Sequence, residues 1–112
     1  MDEEAQAAAA RLVRRLKGGY TVTIAESCTG GLLASTLTDI AGASAWFNQA
    51  WVTYSYEAKI QELNVRRELL EKKGAVSAEV AIQMAQGALA RANADIAISI
   101  TGIAGPGNDG TT

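Results

Sequence analysis

Apolar positions along the chain switch repeatedly between helical and strand-like spacing. Leu12, Val13 and Leu16 recur at helical intervals within an alanine-rich stretch over residues 3–17, and Gly18-Gly19 ends it. Residues 21–25, Thr-Val-Thr-Ile-Ala, read as a short buried strand. The polar turn Glu26-Ser27-Cys28-Thr29-Gly30-Gly31 follows, and Leu33, Leu37 and Ile40 mark a second helix over 30–40. After a loop at 41–44, residues 51–54 form a second strand candidate. Short helices are expected over 57–63 and 66–73, the latter closed by Gly74. Ser77 suits the N-cap of a helix over 78–92 whose inner face is Val80, Ala81, Met84 and Ala88. A third strand over 95–100 runs into a glycine-dense loop at 101–110.

Helices alternating with apolar strands predict an α/β fold, and no internal repeat or linker divides it. Ligands in such folds sit at the carboxyl ends of the strands. Three polar loops fall there, at 26–31, 54–59 and 101–110, each following a different strand.

Composition narrows the chemistry. The length of 112 residues fits one domain spanning 1–112, with a core small enough that a homo-oligomer is expected. Net charge is −2 and the basic residues do not cluster beyond Arg14-Arg15 and Lys72-Lys73, so no nucleic-acid partner is expected. No apolar run is long enough to span a bilayer, and the acidic start Met1-Asp2-Glu3-Glu4 is unlike a signal peptide. The expectation is a cytoplasmic protein with no membrane partner. Cys28 is the single cysteine, which excludes an internal disulfide. Zero histidines exclude Ser-His-Asp and Cys-His catalysis and remove the usual zinc ligand sets. No metal is expected, and proton transfer falls to Lys, Tyr, Asp, Glu or water.

Ser27 lies between an apolar strand and a helix start, beside backbone N–H groups that favour negative charge. It reads either as a helix cap or as a nucleophile whose oxyanion those amides hold. The turn is not a nucleophile elbow, because Ala25 and Thr29 stand where that motif needs glycine. Without histidine, a desolvated lysine is the best base, and Lys59 in Tyr54-Ser55-Tyr56-Glu57-Ala58-Lys59 is the candidate. Tyr54 on the same loop offers a hydroxyl relay; the alternative for Lys59 is a surface residue paired with Glu57 or Glu62. Cys28 is either a rival nucleophile or a small buried residue. Residues 101–107 offer a hydroxyl and flexible amides to a phosphate or amide ligand, or else form a plain turn. The nearby glycine run falls short of a P-loop, since Thr111 replaces its lysine. Trp46, Phe47 and Trp51 read as core rather than as a ring platform.

Four segments, 25–31, 52–59, 99–106 and the shorter 74–77, occur together in one order. On them the chain resembles the CinA C-terminal domain family over nearly all of residues 10–110. The resemblance implies a three-layer α/β/α sandwich with a mixed, mostly parallel sheet. It implies an amidase that deamidates nicotinamide mononucleotide to nicotinate mononucleotide and ammonia, with no cofactor and a small nucleotide as its partner. The implied catalytic residues are Ser27 as nucleophile, Lys59 as base and Tyr54 assisting. Thr29, Gly30, Gly31, Thr101, Gly102 and Gly105 are the implied substrate-binding residues. Two positions depart from the family pattern: Tyr56 stands for the usual Asn, and Ala50-Trp51 for Gly and an aromatic such as Phe. The family also continues past the glycine loop with further strand and helix, including an arginine for the phosphate. A domain without that portion has an alternative reading, a nucleotide-binding or assembly module without turnover.

Overall fold

The computed structural model describes residues 18–102 together with Ala7, Arg11, Leu12, Arg14 and Leu16. Three strands, β1 (Val22–Glu26), β2 (Phe47–Val52) and β3 (Ile96–Ile100), form a sheet in the order β2-β1-β3. Both pairings are parallel, in keeping with the mostly parallel sheet expected. Parallel neighbours need helical crossovers, and these supply the other layers. Helix α1 (Leu32–Thr38) and a 3-10 turn at Ala43–Ala45 link β1 to β2. Helices α2 (Tyr56–Leu63), α3 (Arg67–Lys73) and α4 (Ala78–Ala92) link β2 to β3.

All of β1 is buried, its polar Thr23 and Glu26 included. Its side chains alternate between two cores. Val22 and Ile24 pack with Leu16, Leu37 and Trp46 on one face. Ala25 packs with Leu63, Val65, Leu70, Val80, Met84 and Ala88 on the other. The sheet is therefore covered on both sides, as a three-layer sandwich requires. Of the first expected helix, Ala7, Arg11, Leu12, Arg14 and Leu16 are helical, and Val13 lies outside the described residues. Gly19 turns the chain at φ 106° and donates its N–H to the Leu16 carbonyl at 3.0 Å.

β2 starts four residues earlier than the pattern predicted, at Phe47 rather than Trp51. Its pairing slips from Val22↔Phe47 to Ile24↔Ala50, so one extra residue bulges out. The Thr23 hydroxyl donates to the Gln49 carbonyl at 2.7 Å inside that irregularity. The bulge breaks period-two alternation: Phe47 and Ala50 both face the Leu16 core, and Trp51 faces the other. α4 runs over the expected residues with Ser77 as N-cap, accepting from Val80 N–H at 3.2 Å. Of its expected inner face Val80, Met84 and Ala88 are buried and Ala81 is half-buried. No helix among the described residues is long and apolar enough to cross a membrane.

Candidate active site

The carboxyl ends of β1 and β2 meet at Ser27 and Thr53. Ser27 continues β1 by donating its N–H to the Ile100 carbonyl at 3.0 Å, and Thr53 N–H donates to the Glu26 carbonyl at 2.8 Å. Ser55 then caps α2, its hydroxyl accepting from Ala58 N–H at 3.0 Å. That start phases the helix so that Lys59 and Leu63, four residues apart, share its buried face. Lys59 is only 1% exposed and Ser27 5%.

The Lys59 amine meets three oxygens. Nζ lies 3.0 Å from Ser27 Oγ, 2.9 Å from the Thr53 carbonyl and 3.1 Å from the Tyr54 carbonyl. No carboxylate pairs with it among the described residues; Glu57 instead holds Arg67 at 2.9 and 3.1 Å. Burial pushes the Lys59 ammonium below the ordinary lysine range, and the electrostatic influence of the neighbouring Cys28 works in the opposite sense. Two carbonyls satisfy the two N–H bonds of a neutral amine, which leaves its lone pair for the serine hydroxyl proton. The arrangement can therefore hold an uncharged base against a nucleophile.

Tyr54 touches Lys59 through its carbonyl, not through a hydroxyl relay; its side chain is 66% exposed. Thr53 was missed from the sequence, because its part is played by a backbone oxygen that carries no side-chain signal. Its own hydroxyl is buried and has no partner among the described residues.

The turn after Ser27 depends on two consecutive glycines, Gly30 at φ 63° and Gly31 at φ 104°. Side chains at both positions would be strained. Gly30 N–H donates to the Ser27 carbonyl at 3.2 Å. The N–H groups of Cys28, Thr29 and Gly31 have no acceptor among the described residues. The Thr29 hydroxyl donates to Glu26 at 2.6 Å, and Leu33 and Ala34 N–H reach the same carboxylate at 2.9 Å each. Glu26 was also missed; the clue was an acidic residue closing a strand buried throughout. Thr101 turns its hydroxyl to the Ala75 carbonyl at 2.7 Å. Gly102 comes against the turn, since a Cβ there would sit 3.1 Å from Cys28 Sγ. Gly105 lies outside the described residues.

These features define an α/β domain with a serine–lysine pair at the carboxyl edge of a parallel sheet. The chain belongs to the CinA C-terminal domain family, whose profile matches residues 4–112. It is 61% identical over 88 residues to the nicotinamide-nucleotide amidohydrolase PncC of Escherichia coli (strain K12), covering 79% of this chain and 53% of that protein. It is 57% identical over 90 residues to a CinA-like protein of Geotalea daltonii, covering 80% of this chain and 22% of the relative. The crystal structure of the competence/damage inducible protein CihA from Agrobacterium tumefaciens superposes with a TM-score of 0.85 at 50% identity, covering 89% of this chain and 61% of that one. The chain thus spans about half the length of the amidohydrolase relative.

Proposed function

We propose that this domain hydrolyses the carboxamide of nicotinamide mononucleotide by a Ser27–Lys59 mechanism. The observation that carries the reading is the buried amine 3.0 Å from Ser27 Oγ, with two carbonyls on its remaining protons. The name of the Escherichia coli relative, a nicotinamide-nucleotide amidohydrolase, supports the substrate class.

Neutral Lys59 takes the Ser27 proton as Oγ bonds to the amide carbon. The carbonyl oxygen gains the negative charge, facing the turn whose Cys28, Thr29 and Gly31 amides have no acceptor among the described residues. As the C–N bond breaks, the Lys59 ammonium returns its proton to the departing nitrogen, and ammonia leaves. Water then attacks the Ser27 ester, with Lys59 again as base, and releases nicotinate mononucleotide. Tyr54 contributes its carbonyl to the lysine.

Ammonia release from nicotinamide mononucleotide tests this directly. Ser27→Ala and Lys59→Ala should each lower kcat by at least about 1000-fold in folded protein. Full turnover in either variant contradicts the pair, and binding without ammonia release from the unmutated protein favours a module without turnover.

A further inference from the structure

Glu26 precedes the proposed nucleophile and its side chain turns to the opposite face of the sheet, into α1. It is fully buried, at 0% exposure. Among the described residues no Lys or Arg pairs with it. Its two oxygens instead collect three donors: the Thr29 hydroxyl, Leu33 N–H and Ala34 N–H. α1 begins on Gly31 without any side-chain cap from its own N-cap residue, so Glu26 supplies the acceptors that a Ser or Asp cap would give. The same residue's carbonyl accepts from Thr53 N–H at 2.8 Å, and the Thr53 carbonyl accepts from Lys59 at 2.9 Å. A closed loop of links therefore joins Glu26, Thr53, Lys59 and Ser27.

We infer that Glu26 is a positioning residue that clamps the 28–31 turn to the start of α1 and so fixes the amides facing the reacting carbonyl. The inference rests on the amidase reading above. Held from both ends, the turn cannot swing: Ser27 is fixed by β1 and by the lysine, and Thr29 and α1 are fixed by the carboxylate. Oxyanion donors act only when aimed, and a misplacement of about 1 Å is enough to lose most of their effect. Two consequences follow for the implied binding residues. The Thr29 hydroxyl is committed to the clamp rather than to substrate. The first amides of α1 are already occupied by a carboxylate, so the substrate's phosphate has to be held elsewhere.

Glu26→Gln is nearly isosteric, yet whichever way the amide is turned an NH2 group faces a backbone N–H. Steady-state kinetics of ammonia release across pH should show kcat lowered about 100-fold in Glu26→Gln, the size of losing one aimed oxyanion donor. KM should change little, and the pH midpoint set by Lys59 should stay in place. Thr29→Val should lower kcat by about 10-fold, and Thr29→Ser should recover most of that loss because it keeps the hydroxyl. If Glu26→Gln does not fold, the Thr29 pair decides. Undiminished kcat in Thr29→Val, or equal losses in Thr29→Val and Thr29→Ser, overturns the clamp. So does a shifted pH midpoint, which would mark a direct effect on the lysine. Turnover surviving in Ser27→Ala overturns the amidase reading instead, whatever the Glu26 variants do.

Discussion

The proposed chemistry rests on a lysine that is costly to bury and that no carboxylate pairs with among the described residues. Removing an ammonium from water disfavours its charged form, so Lys59 holds its proton less tightly than a surface lysine. The sign for activity follows: kcat/KM should rise with pH through one ionisation below the ordinary lysine range, as the amine becomes the base. Cys28 acts in the other direction, so Cys28→Ala should move that midpoint further down. An upward shift would show that the thiol does not influence the amine in this way. Tyr54→Phe should leave the midpoint where it is, because the lysine meets only the Tyr54 carbonyl. Thr53→Val tests another local account. It removes a buried hydroxyl with no partner among the described residues and leaves the carbonyl bond to Lys59 intact. Urea unfolding should show no loss and up to about 1 kcal/mol of gain; a loss above 1 kcal/mol would reveal a partner for that hydroxyl. At this scale Ser27 and Lys59 were legible as side chains of the right type after strand ends. Thr53 was not, because any residue supplies a carbonyl, and the direction of Glu26 depends on strand phase.

Among the elements, the crossing of α2 and α4 sets where Lys59 stands. A Cβ on Gly87 would overlap the Leu63 carbonyl oxygen and fall 2.7 Å from its carbon. Both are backbone atoms of the last turn of α2, so the two helices would have to separate. Gly87→Ala should therefore destabilise by about 1–3 kcal/mol in urea unfolding and lower kcat in the folded fraction. Unchanged stability would mean the crossing is not tight. Sequence alone signalled only a glycine inside a helical pattern, since the atom it must avoid lies 24 positions back. α4 itself was readable to the residue from its serine cap and apolar stripe, and in the structure it ends on Asn93 in a left-handed conformation. The start of β2 was not, because a bulge breaks the alternation on which the reading depends.

Over the whole molecule, the sheet separates two cores with unequal bearing on the site. Leu16 and Leu37 belong to the face carrying α1, and Met84 and Leu63 to the face carrying Lys59. Leu16→Ala and Met84→Ala should each cost about 2–5 kcal/mol, but only the second loosens the packing around the α2 face that holds the amine. Activity per folded molecule should fall more for Met84→Ala; equal activities would show the lysine to be insulated from that core. The layered fold was legible from alternating periods, and the convergence of the 26–31 and 54–59 loops from the rule that α/β sites lie at strand carboxyl ends. The pairing distance was not legible, because it depends on the helix phase set by Ser55 and on the bulge in β2. The central claim is an uncharged amine on the serine hydroxyl, and NMR titration of the Lys59 side chain measures it most directly. The account predicts an amine that loses its proton below the ordinary lysine range in the folded protein. A Lys59 that titrates with the surface lysines would contradict it.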